Sequence, residues 1–326
     1  MRALLIAYLL CSGVATAGTP LTLAGPPASV SFPLIHMIES GALSALGYDA
    51  HFQLWKDPDQ LRAIVMSEHA DYVAMPTNVA ANLYNRGVDT RLLNVSTWGI
   101  LYLLSRNADM KSLTDFSGEE ITVPFRGDMP DIVFQLLAEK HGLNPRQDFS
   151  VRYVASPLDA MQLLIMRRTD HALLAEPAVS MALRKTDSFP LKLVAPDLYR
   201  SVNLQEEWGK LFNTRARIPQ AGIAVVNATK KPREEQALIN QAYKKSLQIC
   251  QQAAAECADM VVRQIPMLEK EAVLDALQFS TMETLTPDEA EPELKFFFNQ
   301  LYNKNPSILG EKIPDDAFYQ TPDQEL

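Results

Sequence analysis

The chain has 326 residues, 47% of them hydrophobic, and a formal net charge of −9 at pH 7. This length predicts about two domains with sizeable cores. The acidic balance argues against a nucleic-acid partner, because phosphate neutralisation needs a clustered basic surface.

The first 17 residues have the pattern of a secretory signal. A positive start at Arg2 leads into a short apolar run and then a small-x-small site that ends at Ala17. We therefore expect cleavage after Ala17 and a periplasmic location. Acylation of Cys11 is the alternative, but the preceding Leu10 is bulky where such sites favour a small side chain. No segment approaches the roughly 20 apolar residues of a membrane-spanning helix, so we expect contact with the membrane only through a partner.

Short apolar runs then alternate with helical patterns, which predicts an α/β fold around largely parallel sheets. The first series predicts strands at 21–24, 50–54, 71–75 and 91–95, with helices after Pro33 and over 58–66 and 77–86. After an apolar run at 99–105, the second series predicts strands at 121–123, 150–154, 172–175 and 191–195, with helices from about Asp131, Ser156, Pro177 and Asp197. A buried strand at 222–226 precedes helices from Pro232 onward.

Several helix starts have a specific chemical signal. Thr77 and Ser156 are candidate N-caps, and prolines suited to a first helical turn stand at 58, 130, 157 and 177. Ligands of parallel α/β sheets bind beyond the carboxyl ends of the strands. The loops that follow the strands are therefore the candidate functional sites.

Cys250 and Cys257 remain after removal of the signal. On one continuous helix they would lie about 10 Å apart, which is beyond disulfide reach. They can bond only if the chain turns within 251–256, and the alternative is a pair of buried thiols. Their spacing indicates no metal site.

Several segments occur in the order found in one known family. They are LTDFSGEEI at 113–121, TVPFRGD at 122–128, HGL at 141–143, DHALLAEP at 170–177 and ILGEKIPDDAF at 308–318. In these segments the chain resembles periplasmic solute-binding proteins of ABC transporters, of the nitrate, sulfonate, taurine and thiamine-pyrimidine-precursor type. Arg168 and His171 depart from the family pattern, so the resemblance does not identify the ligand.

The resemblance implies a periplasmic binding protein type II fold, in which two doubly wound α/β lobes are joined by a hinge that the chain crosses twice. The crossings are expected near 104–108 and 217–222. The first lobe would comprise 18–106 plus 222–326, and the second 107–221. The implied partners are a small-molecule ligand and an ABC transporter permease, with the protein itself a monomer that needs no cofactor.

In the first lobe, four loops offer candidate ligand-binding residues. Backbone donors of the turn after the first strand could face a ligand, or the turn could be purely structural. Trp55 and Trp98 could stack on a ligand or pack inside the lobe. Thr77 and Asn78 could cap a helix, contact a ligand or do both. The candidates are Pro26, Ala28, Ser29, Trp55, Met75, Thr77, Asn78 and Trp98.

In the second lobe, the candidates are charged. Arg126 could pair with a carboxylate or sulfonate, or be a surface residue beside Asp128 as a helix N-cap. Glu176 could contact an amine or be structural. Both charges together would suit a polar heterocycle or a zwitterion. Apolar residues near the same loops leave an apolar ligand as an alternative.

Catalysis is not indicated. The five histidines show no HExxH spacing, and no G-x-S-x-G elbow or reactive cysteine motif occurs. We therefore predict a non-enzymatic solute-binding protein for ABC-transporter uptake. A ligand sensor without a transporter is the alternative function, since fold alone does not determine function.

Overall fold

The computed structural model describes residues 18–194 and 197–320. The predicted signal segment, with Cys11 inside it, lies outside the described residues. Within them the strands are β1 (Thr19–Gly25), β2 (Tyr48–Leu54), β3 (Tyr72–Pro76), β4 (Thr90–Leu92), β5 (Val95–Gly99), β6 (Leu101–Ser105), β7 (Glu120–Pro124), β8 (Ser150–Val154), β9 (His171–Ala175), β10 (Tyr199–Asn203), β11 (Ala221–Val226) and β12 (Thr281–Leu285).

The helices connect and cover these strands. They are α1 (Phe32–Glu39), α2 (Pro58–Met66), α3 (Thr77–Asn85), α4 (Met129–Lys140), α5 (Pro157–Ile165), α6 (Ala178–Asp187), α7 (Leu191–Val194), α8 (Leu204–Phe212), α9 (Arg233–Gln252), α10 (Ala254–Gln264), α11 (Lys270–Phe279) and α12 (Pro287–Lys304).

The strands form two sheets, and we call the part of the molecule built on each sheet a lobe. The first sheet has the order β12-β5-β11-β3-β1-β2, with β4 paired to β11. The second has the order β10-β6-β9-β7-β8. Both sheets are mixed: β1 pairs in parallel with β2 and β3, and β7 with β8 and β9, as predicted, whereas the antiparallel strands among them were not predicted. β11 and β12 enter the first sheet from the side of the second lobe and therefore run antiparallel to their neighbours.

The local start signals explain most helix boundaries. Asp57 accepts a hydrogen bond from the Gln60 amide at 2.8 Å ahead of α2, and Ser156 accepts one from the Asp159 amide at 3.2 Å ahead of α5. The predicted Ser156 cap is thus confirmed. Thr77 is instead the first residue of α3 and caps nothing.

The chain passes from the first sheet to the second at Ile100. β5 belongs to the first sheet and β6 to the second, with only Ile100 between them. The predicted crossing near 104–108, and the boundary at 106, therefore came too late. Gly99 is the one break in the apolar run 99–105, and a single glycine at the start of such a run does not identify a change of sheet. The chain returns between α8 and β11, over 213–220, close to the predicted second crossing.

Two elements after α6 were predicted wrongly. The segment predicted as a strand at 191–195 contains the short helix α7, and the helix predicted from Asp197 is replaced by strand β10. Leu193 is 73% exposed, so this apolar run does not indicate a buried strand. β10 pairs with β6 at the sheet edge, a long-range contact that local periodicity does not contain.

A disulfide joins Cys250 and Cys257. Helix α9 ends at Gln252 and α10 begins at Ala254, so the chain turns between the two cysteines. The turn brings their Cα atoms to 5.1 Å, within the range that a disulfide spans. The helical hairpin α10–α11 that follows packs against α1 and α6 in one apolar cluster.

Candidate ligand-binding cleft

Strand ends from both lobes meet at one cavity. Three strands of each sheet direct their carboxyl ends to this cavity: β1, β2 and β3 of the first sheet, and β7, β8 and β9 of the second. Residues in or just after each of these ends line its walls. We call this cavity, of about 160 Å³, the cleft. Its position agrees with the general rule for ligand sites in α/β sheets.

The loop after β1 forms part of the first-lobe wall. Pro26, Pro27 and Ala28 line the cleft. The chain can approach itself here because a Cβ at Gly25 would meet the Ser31 Oγ at 2.3 Å. That hydroxyl donates a hydrogen bond to the Pro26 carbonyl at 2.6 Å, which fixes the turn.

Trp55 and Met75 add apolar surface to the same wall. Trp55 is 4% exposed and lines the cleft. Its Nε1 donates to the Ala74 carbonyl at 3.2 Å, so the indole has no second donor to offer a ligand. Trp55 therefore contributes a flat apolar face.

Four predicted first-lobe candidates do not line the cleft. The Ser29 hydroxyl pairs with that of Ser280 at 2.9 Å, and the Thr77 hydroxyl donates to the Pro219 carbonyl at 2.5 Å. Trp98 is fully buried, with Nε1 donating to the Glu283 carbonyl at 2.8 Å. Asn78 is buried, and its Oδ1 has no hydrogen-bond partner in the part of the chain that the structure describes. These side chains are buried in the first lobe, and Thr77 is bonded to the second crossing segment at Pro219.

The loop after β7 points the side chains of Phe125 and Arg126 in different directions. Phe125 has a left-handed backbone conformation, with φ of 57°, and lines the cleft. Arg126 is exposed and stacks on Tyr153, with its guanidinium carbon 5.1 Å from the ring centre. The predicted contact of Arg126 with a ligand therefore has no support in this conformation, because the turn at Phe125 points the arginine away.

Asp128 lines the cleft and contacts the opposite lobe. It precedes α4 but accepts no hydrogen bond from that helix. Its carboxylate instead pairs with Arg62 of α2 at 3.3 Å. Burial raises the pKa of Asp128, and the Arg62 guanidinium opposes that shift. The two lobes are thus joined by an ion pair beside the cleft.

Glu176 lines the cleft, but a residue of β10 already neutralises it. Its side chain is fully buried and pairs with Arg200 at 2.5 Å. The Ser180 amide donates to the second carboxylate oxygen at 3.2 Å. Burial raises the pKa of Glu176, while Arg200 and Ser180 oppose that shift. Glu176 therefore acts as a structural residue in this arrangement.

Residues of both crossing segments form another part of the wall. Ile100 comes from the first crossing and Gln220 from the second, and both line the cleft. The Gln220 Oε1 accepts a hydrogen bond from the Ile100 amide at 2.9 Å. Neither residue was predicted from the sequence, because neither follows a strand that was expected to end at the cleft.

Other lining residues were also missed as ligand contacts. Pro58, Pro130 and Pro157 had been recognised only as helix starts, although that position next to a strand end was a usable signal. Met267, between α10 and α11, had no comparable signal. Residues 18–194 and 197–320 contain no cluster of three or more His, Cys, Asp or Glu side chains that could hold a metal ion.

The two α/β lobes around this cleft are the fold of periplasmic binding proteins, as predicted. A solved ABC transporter structure from Parabacteroides distasonis has a TM-score of 0.72 and 19% identity, covering 92% of this chain and 98% of that one. The periplasmic aliphatic sulphonate-binding protein of Escherichia coli has a TM-score of 0.68 and 12% identity, covering 93% and 99%. The periplasmic nitrate-binding protein of Synechocystis has a TM-score of 0.66 and 13% identity, covering 93% and 87%.

No protein-family model matches the sequence, and no curated protein matches it either. The likeness to these three solved structures, at 12% to 19% identity, shows the fold. Among the helices of the described segments, none has the length and apolar character needed to cross a bilayer.

Proposed function

We propose that this protein is an extracytoplasmic solute-binding protein, which captures a small molecule between its lobes and delivers it to an ABC importer. The supporting observation is that strand ends of both sheets line one cleft whose wall includes both crossing segments. Two lobes joined by short crossings can close around a ligand by hinge motion. The lobes would comprise 18–99 plus 221–320, and 101–212.

The partner and the compartment follow from other observations. The similar solved structures are described as an ABC transporter and as periplasmic sulphonate-binding and nitrate-binding proteins, which supports a transporter permease as the partner. The Cys250–Cys257 bond agrees with an oxidising compartment such as the periplasm. The proposal assigns the monomer no catalysis and no cofactor.

Thermal unfolding of the purified mature protein with a library of small metabolites tests the proposal. A ligand at one hundred times its Kd should stabilise the folded state by about 2.7 kcal/mol, because it binds only that state. Small-angle scattering with the compounds that raise Tm should then detect lobe closure.

A receptor of this kind requires both effects. If no compound raises Tm, or if compounds that raise it leave the scattering curve unchanged, solute capture by lobe closure is wrong. Permease and ATPase genes beside this gene would distinguish an importer receptor from the alternative, a free-standing sensor.

A further inference from the structure

The charges that line the cleft are already compensated or hydrated. Glu176 is paired with Arg200 at 2.5 Å, and Asp128 with Arg62 at 3.3 Å. Lys56 is exposed, so water solvates its ammonium group. A charged ligand group would therefore lose its own hydration and gain at most a weak, solvent-screened contact with Lys56.

The remaining wall is largely apolar. Aromatic, thioether and aliphatic side chains from both lobes and from the α10–α11 turn contribute to it. They include Trp55, Met75, Phe125, Leu158 and Met267. Such a surface favours the binding of apolar ligand groups, because contact removes both apolar surfaces from water. The cleft volume of about 160 Å³ resembles that of an engineered apolar cavity that holds one benzene molecule.

Gln220 supplies one oriented donor in this wall. Its side chain is buried, at 2% exposure, and lines the cleft. The Ile100 amide can only donate, so the Gln220 Oε1 must face it, as the 2.9 Å hydrogen bond requires. The Nε2 group has no acceptor among residues 18–194 and 197–320. The nitrogen is not one of the fully enclosed polar atoms that lack a partner, so it is accessible from the cleft, where the acceptor of a ligand would take the place of water.

We propose that the ligand is an uncharged, predominantly apolar molecule of about one ring, with one hydrogen-bond acceptor that receives the Gln220 Nε2 proton. This inference rests on the proposed function and specifies its ligand class. It differs from the anions bound by the sulphonate-binding and nitrate-binding proteins of similar fold. It also places the polar ligand contact on the second crossing segment.

Three probes with equal numbers of non-hydrogen atoms test the proposal by isothermal titration calorimetry. Acetophenone is neutral with one acceptor, cumene is neutral with none, and benzoate is anionic. We expect acetophenone to bind about threefold to tenfold more tightly than cumene, the range for one neutral hydrogen bond. We expect benzoate to bind more weakly than cumene.

Two variants of Gln220 assign the acceptor contact. Gln220→Met removes the donor and should abolish the preference for acetophenone over cumene. Gln220→Glu keeps an oxygen for the Ile100 amide and should also lose the preference. It therefore serves as the second test if the methionine variant fails to fold.

Several results would overturn the ligand class. They are tighter binding of benzoate than of the neutral probes, equal binding of acetophenone and cumene, binding of neither, or a preference for acetophenone that survives both substitutions. Scattering separates this failure from failure of the proposed function. Lobe closure with benzoate would retain solute capture and reject the ligand class, whereas acetophenone binding without closure would do the reverse.

Discussion

The two lobes touch in two regions of different character. Beside the cleft, Arg62 and Asp128 form a partly exposed ion pair. In the second region, which we call the rear junction, α11 packs against α6, and the Tyr102 hydroxyl of β6 donates to the Phe279 carbonyl at 2.9 Å. There the guanidinium carbon of Arg200 lies 4.1 Å from the centre of the Phe279 ring.

This difference separates a weak contact from a strong one. Exposed ion pairs contribute little to stability and are screened by salt. The rear junction buries apolar side chains of both lobes, so it should persist when the cleft contact breaks. The Glu176–Arg200 pair lies within the second lobe and the disulfide within the first, so each supports its own side of this junction. We therefore expect the lobes to separate first at Arg62–Asp128.

The largest expected effect comes from Arg200→Met, which leaves the buried Glu176 carboxylate without its partner. The free energy of unfolding at pH 7 should fall by about 3–5 kcal/mol, as for other broken buried pairs. Urea unfolding of the variant and the wild type measures the difference. A loss below 1 kcal/mol would show that Arg200 does not stabilise the rear junction.

The same variant has a defined pH dependence. Burial raises the pKa of Glu176 above its ordinary value of 4.5, so the carboxyl group favours the folded state when protonated and loses this contribution as pH rises through the folded-state pKa. Without Arg200 the pKa should rise further. The difference between variant and wild type should therefore shrink as pH falls towards 4.5, and a constant difference would contradict this electrostatic explanation.

An intermediate effect is expected from removal of the disulfide. Cys250→Ser with Cys257→Ser should lower the free energy of unfolding by about 2.5 kcal/mol on the chain-entropy estimate for so short a loop. Thermal unfolding with and without dithiothreitol measures it. The reductant should lower the Tm of the wild type and leave that of the double variant unchanged; equal shifts in both would mean that the bond does not stabilise the rear junction.

The smallest effect is expected from Arg62→Ala at the cleft contact. The free energy of unfolding should fall by less than about 1 kcal/mol at low ionic strength, and the difference should vanish in 1 M salt because screening is then nearly complete. Arg86→Ala, directly after α3, is a matched control, since the Arg86 Nε donates to the neutral Asn82 side chain at 2.9 Å and Arg86 forms no ion pair within 18–194 and 197–320. A loss comparable to that of Arg200→Met would reverse the ranking of the two regions.

Much of this arrangement was accessible from the sequence. Apolar runs and helix-start residues located most strands and helices, and the rule about strand ends led to Pro26, Ala28, Trp55, Met75, Asp128 and Glu176, all of which line the cleft. Local patterns suffice there because each candidate lies at the end of a strand or within four residues after it. The possibility of a turn between Cys250 and Cys257 was also recognisable from their spacing.

The features that could not be predicted from the sequence depend on contacts between segments far apart in the chain or on an unusual backbone conformation. The outward direction of Arg126 follows from the left-handed conformation of Phe125, a residue type that rarely adopts it. Arg200 reaches Glu176 only because β10 joins the second sheet beside β6. Likewise, Gln220 lines the cleft because two distant segments cross between the sheets at the same place.

The position of Trp55 gives the protein a built-in optical probe. Of the three tryptophans in the sequence, Trp55 lines the cleft, whereas Trp98 and Trp208 pack inside the core. Displacement of water from the cleft would change the surroundings of the Trp55 indole and leave those of the other two unaltered. The intrinsic fluorescence of the unlabelled protein should therefore follow cleft occupancy in real time.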